Sequence, residues 1–146
     1  GLVLTDAFVR LLAPPAPLKQ SREAKQGRDV FDRVGCAGCH VPVLRTGDNP
    51  ISALRHKDVA AYTDMLLHDM GDSLADICFG LATPGEFRTE PLMGLRLSSQ
   101  FLHDGRAKTP EQAIDFHGGE ATRSRDLFRS LPPADQAALL AFLKTL

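Results

Sequence analysis

Apolar residues recur along this chain at helical spacing in four places, separated by a long stretch with no sustained period. Over residues 2–12 the apolar positions include Leu4, Phe8, Leu11 and Leu12, which predicts a short amphipathic helix with Thr5 as its N-cap. Ala13-Pro14-Pro15-Ala16-Pro17 ends it, because consecutive prolines cannot continue a helix and favour an extended chain. Residues 1–18 therefore read as an arm or linker able to dock on another domain, and 19–146 as the domain proper. Over 21–34 the pattern is helical again, with Ala24, Gly27, Val30, Phe31 and Val34 on one side. A matching stripe of Ala138, Leu139, Phe142, Leu143 and Leu146 follows Pro132-Pro133, so 134–146 is the expected partner helix. A glycine on a helix face admits close approach, and Phe142 is the residue expected over Gly27.

Thr109-Pro110-Glu111-Gln112 carries the marks of a helix start: a threonine cap, proline at the first position and glutamine to close a capping box. That helix carries Ala113, Ile114 and Phe116, has His117 on its last turn, and ends at Gly118-Gly119. Residues 123–131 are a polar connection or a short helix. Between His40 and Asp69 the signals are weak: Val41-Pro42-Val43-Leu44 is extended, Thr46-Gly47-Asp48-Asn49-Pro50 is a turn, and 59–65 fits strand or helix equally. Gly71, Gly80 and Pro84-Gly85 punctuate a further irregular run. The expected class is all-α, with long irregular loops between an N-terminal and a C-terminal helix.

Directly after the 21–34 helix stands Cys36-Ala37-Gly38-Cys39-His40, and two thiols two residues apart followed by histidine are the attachment signature of a c-type haem. Each thiol can form a thioether to a haem vinyl group, with His40 reaching the iron. A bare pair of this spacing would also fit a thioredoxin-like couple or half a zinc cage. The adjacent histidine suits neither, and the 146 residues contain no second such pair. One covalent haem in one domain is the expectation. An aromatic content of 6%, with no Trp and one Tyr, leaves room for a large apolar macrocycle to supply packing.

A net charge of −1 provides no field for nucleic acid or an anionic membrane surface. Of three cysteines, two are committed to haem, so no disulfide framework is available and Cys78 is expected to be a small buried hydrophobe. No apolar run approaches the ~20 residues of a membrane span. The first twelve residues, interrupted by Asp6 and Arg10, do not read as a signal peptide. Because c-type haem is attached outside the bacterial cytoplasm, the expected setting is periplasmic, the chain being a mature form or a piece of a longer protein.

The second axial position decides the chemistry, and Met65, Met70, Met93, His56, His68, His103 and His117 are all candidates for it. A protein ligand there favours outer-sphere electron transfer, and an open site admits peroxide or small ligands. Three further segments follow the haem motif in order: Tyr62-Thr63-Asp64-Met65-Leu66-Leu67-His68-Asp69-Met70-Gly71, Glu86-Phe87-Arg88-Thr89-Glu90-Pro91-Leu92 and Phe101-Leu102-His103-Asp104-Gly105-Arg106-Ala107. With them, nearly the whole chain resembles the C-terminal haem domain of the di-haem oxidoreductases, often called thiol oxidoreductases. These are distant relatives of the bacterial di-haem cytochrome c peroxidases and of the tryptophan-modifying di-haem enzymes.

The resemblance implies a cytochrome c-like domain. In the peroxidase relatives the second ligand ends the short helix after the His-Asp-Gly motif, being Met in the peroxidases and Tyr in the tryptophan-modifying enzymes. That position falls here on His117, with Met70 and Met93 as rivals. His103 with Asp104, and His68 with Asp69, are then structural pairs, and Arg88 pairs with a haem propionate or in a surface salt bridge. Two departures stand out: Met93 occupies the place of a usual Trp, and the family's second haem motif is missing, and with it the half that binds peroxide in the peroxidases. The implied function is a mono-haem electron-transfer domain with His40 and His117 as axial ligands of a low-spin haem. Its partner would be a second haem domain or a soluble redox protein. The rivals are a peroxidase-like or thiol-oxidising enzyme with an open distal site, and a haem-based gas or redox sensor. No Ser/His/Asp or paired-carboxylate constellation supports hydrolytic chemistry.

Overall fold

The computed structural model describes residues 1–77 and 80–146, so Cys78 and its expected burial lie outside the described residues. Two helices from opposite ends of the chain form the frame. Helix α2, Arg22–Arg33, starts where the Ser21 hydroxyl accepts the Ala24 N–H at 3.1 Å, and buries Ala24, Gly27, Val30 and Phe31. Its partner α5, Pro133–Leu143, buries Ala138, Leu139, Phe142 and Leu143.

The two backbones meet at Gly27. A Cβ built there would lie 1.8 Å from the Ala138 carbonyl oxygen and 2.9 Å from the Leu139 nitrogen. The residue over Gly27 is thus the Ala138–Leu139 peptide and not Phe142, because a glycine lets main chain meet main chain and leaves no gap for a ring. Phe142 instead packs edge-on against Phe31 at 5.4 Å and against Tyr62 at 5.9 Å between ring centroids. Val34, Phe128 and Leu146 complete this core.

Helix α1, Leu2–Arg10, begins at the first residues of the chain with Gly1 at its cap. Thr5 lies inside it, its hydroxyl turned to the Gly1 carbonyl, so the expected capping role is not borne out. No residue of α1 is buried. The proline stretch that follows returns to the body, where the Leu18 N–H donates to the Thr145 carbonyl at 2.8 Å.

The all-α expectation is overturned. Between the helices the chain forms two small antiparallel ladders: β1, Leu44–Arg45, with β2, Asp58–Val59; and β3, Leu67–Asp69, with β4, Glu86–Arg88. These segments carry no helical stripe, so their N–H and C=O groups are satisfied by pairing across the loop. The ambiguous 59–65 stretch continues from β2 as extended chain, with left-handed backbone at Tyr62 (φ 53°) and Met65 (φ 64°). Thr63, fully buried, holds it in place: its N–H donates to the Val41 carbonyl at 3.0 Å and its hydroxyl to the Thr89 carbonyl at 2.7 Å.

Helix α3, Pro110–Asp115, starts as expected. The Thr109 hydroxyl accepts the Gln112 N–H, and the Gln112 side chain accepts the Lys108 N–H. Of the two readings for 123–131, the helix is the one formed, as α4, Thr122–Ser130, with Phe128 buried.

Candidate functional site

Helix α2 delivers the Cys36–Gly38 turn through Gly35, whose φ of 89° is reached freely by glycine. The turn closes when the His40 N–H donates to the Cys36 carbonyl at 2.9 Å. Burial pushes the Cys36 thiol up to about 12, and burial first, then Asp64 and Glu120, raises that of Cys39. Both sulfurs are therefore neutral thiols. A poised dithiol needs a thiolate, and this environment disfavours one.

His40 is fixed by the backbone of the 59–65 stretch. Its Nδ1 donates to the Tyr62 carbonyl at 3.0 Å, a carbonyl aimed by the left-handed turn at that residue. Across from it, His117 follows α3, and its Nδ1 donates to the Ala113 carbonyl at 2.7 Å. A carbonyl can only accept, so in both rings the proton sits on Nδ1 and the lone pair on Nε2. Burial lowers both imidazoles, His40 to about 4, keeping them neutral. The ring centroids lie 6.4 Å apart with planes inclined at 44°. Two imidazoles bound through Nε2 to opposite sides of one metal at ~2 Å have centroids roughly 6 Å apart, so the spacing fits an axial pair.

Around the rings is a cavity of about 630 Å³ lined mainly by apolar residues, into which Cys36, Cys39, Met70, Met93 and Ile114 also project. Among the seven distal candidates, His117 is the one brought ring to ring with His40. Met70 and Met93 line the cavity; Met65 lies outside that lining, half exposed, with its sulfur at the Arg88 guanidinium. His56 pairs with Asp48 on the surface. His103 stacks on Phe87 at 4.4 Å and bonds Asp76, whereas Asp104 bonds Arg106, so the expected His103–Asp104 pair divides between two partners.

His68 likewise turns away from Asp69 to Asp64 and Glu120. Arg88, on β4 at the cavity wall, pairs with Glu90 at 3.1 Å. Sequence reasoning missed Tyr62 and Ala113, which act through main-chain oxygen and leave no signal in residue type. It also missed Glu120, three residues after His117.

A mainly apolar cavity around two neutral imidazoles, lined also by two thiols, has the donor set of a haem pocket. Residues 7–146 match the family described as "Di-haem oxidoreductase, putative peroxidase". The chain belongs to the di-haem oxidoreductase family. Haem is accordingly the group this pocket is built for. Two curated relatives are called cytochrome-c peroxidase IdrP2: one from Pseudomonas sp. (strain SCT), 28% identical over 86% of this chain, and one from Denitromonas iodatirespirans, 26% identical over 85%. The chain spans about 40% of the length of these relatives. The fold is shared with a chain of Kuenenia stuttgartiensis hydrazine synthase, a structure determined under xenon, with a TM-score of 0.61 at 19% identity, covering 95% of this chain and 52% of that one. The mixed architecture of the di-haem oxidoreductase chain is therefore one already seen in a solved structure. Among the described residues no helix is long and apolar enough to cross a membrane.

Proposed function

We propose that this chain is an electron-transfer module carrying one covalently bound c-type haem. Cys36 and Cys39 are its thioether anchors, and His40 and His117 the axial ligands of a low-spin iron. The observation that carries this reading is the facing of His40 and His117, each with Nδ1 committed to a backbone carbonyl. When bound, the haem supplies one-electron Fe(III)/Fe(II) chemistry, and two imidazole ligands place its potential below that of His/Met ligation.

The protein's share of the work is to hold still. The Tyr62 and Ala113 carbonyls orient the rings, apolar walls keep water from the iron, and occupied axial positions leave outer-sphere transfer as the route. Cys36 and Cys39 would hold the haem by adding their S–H groups across its vinyl C=C bonds, with no atom lost. Arg88 at the cavity wall is the cation for a haem carboxylate. The partner is a second haem domain or a soluble redox protein, and the setting is the periplasm, where such attachment occurs.

The curated relatives' name favours a second reading, a peroxidase-like catalyst with an open distal site. Electron paramagnetic resonance of the ferric protein, with its intact mass, separates the two. The expected result is a low-spin signal and a mass increase of one haem that survives denaturation. A high-spin signal in the unmodified protein would favour the catalyst.

A further inference from the structure

The turn that carries His117 is clamped to β3 along the wall of the cavity, which His68 and Glu120 also line. Gly118 and Gly119 lie flat on the 69–71 backbone: a Cβ on Gly118 would stand 2.7 Å from the Met70 carbonyl oxygen. The next residue, Glu120, reaches back with both oxygens. Oε1 accepts the Asp69 N–H at 3.0 Å, and Oε2 accepts from His68 Nδ1 at 2.9 Å. The other nitrogen of His68, Nε2, donates to Asp64 Oδ2 at 2.8 Å, while a backbone bond from the Leu66 N–H holds Asp64. One imidazole thus bridges two carboxylates. Only the protonated ring can do so, because a neutral imidazole has a single N–H.

Resting on the assignment of His117 as the distal ligand, we infer that His68 is a positioning residue for that ligand: as an imidazolium between Asp64 and Glu120 it latches the His117 turn to β3, and losing its proton loosens the turn. Cys39, Asp64 and His68 could bring ligand atoms within 4.8 Å of one another, but a haem thioether on Cys39 leaves that trio no thiolate for a metal. The neighbouring charges support the imidazolium. Glu120 and Asp64 raise the His68 pKa above the ordinary 6.5 through their hydrogen bonds. On β4, Glu86 is engaged by the Thr83 N–H and Arg88 by Glu90, and on β3 Asp69 accepts the Gly71 N–H. The neutral rings of His40 and His117 face the cavity.

The sign follows directly. A histidine whose folded pKa is raised contributes its full stabilisation below 6.5, and loses it as the pH climbs through the raised value. The latch is therefore closed below pH 6.5 for as long as Asp64 and Glu120 stay ionised, and opens as the pH climbs through the raised value.

Carbon monoxide binding to the ferrous holoprotein reads the latch, since the gas enters only when His117 leaves the iron. In the unaltered protein the rate should be slow at pH 6 and rise about tenfold through a single ionisation above 6.5, the equivalent of one charge-assisted hydrogen bond. His68→Phe should be fast at every pH. Glu120→Gln is the decisive variant: its amide can donate to a neutral His68 Nδ1 while His68 Nε2–H still donates to Asp64. It should stay slow at every pH, with the ionisation gone. A Glu120→Gln protein that keeps the unaltered pH profile, or a His68→Phe protein as slow as the parent, overturns the latch. His117→Ala is the control for the ligand assignment: if binding in the parent is already as fast as in that variant at pH 6, the assignment fails and not the latch alone.

Discussion

Replacing His117 by alanine should turn a six-coordinate, low-spin ferric haem into a high-spin form that binds cyanide tightly. The side chain being removed is half-buried and lines the cavity, its Nδ1 anchored at 2.7 Å to Ala113 and its ring 6.4 Å from that of His40. Among the described residues, His117 is the imidazole that faces the His40 ring. Met70 and Met93 reach the same cavity, and they set the outcome that would sink the assignment. If the variant stayed low-spin without added ligand, one of those thioethers is the ligand. Added imidazole should restore the low-spin spectrum, because the truncated side chain leaves a hole of its own shape, and that recovery separates a lost ligand from a collapsed pocket.

The largest effect on stability is expected at Gly27. Gly27→Ala should destabilise the protein by about 3 kcal/mol or more in urea unfolding, since its Cβ would occupy space 1.8 Å from the Ala138 carbonyl oxygen. Both clashing groups are main chain, so relief requires the two helices to separate. The direction is informative. At a solvent-facing helix position the same change stabilises by roughly 0.5–1 kcal/mol, so a gain or a null effect at Gly27 would show that α2 and α5 do not meet as described. An alanine at the exposed Lys25 serves as the comparison, with an expected change near zero.

What could be read beforehand follows from what each signal encodes. Helices α2, α3 and α5 were legible because apolar stripes and caps are properties of residue type at fixed spacing. The ladders of β1 with β2 and of β3 with β4 are two and three residues long, too short for a period to register, so the sequence pattern alone points to an all-α class. At the site, Cys36, Cys39 and His40 announce themselves as a motif, and His117 stands at the end of a well-capped helix. The groups that hold those rings are carbonyl oxygens of Tyr62 and Ala113, which every residue possesses. His68 was visible, but its partner Glu120 lies 52 residues away, and such distances leave no mark on local sequence. Phe142 over Gly27 failed for a related reason: the stripe tells which side of a helix is buried, not how near the facing backbone comes.

The pairing of α2 with α5 also bears on the order of assembly. Gln26 and Asp135, which bond across that interface at 3.0 Å, are 109 residues apart. Closing so long a loop carries a large entropic cost before any contact repays it, and non-local contacts of this kind form late. Helix α2, by contrast, has its own serine cap and needs no distant residue to begin. The turn with both thiols is attached to this early element, while the cover that buries Cys36 and lifts its pKa to about 12 depends on the late one. Were haem attached through Cys36 and Cys39 as proposed, the thiols would be most accessible before the helix pair closes over Cys36.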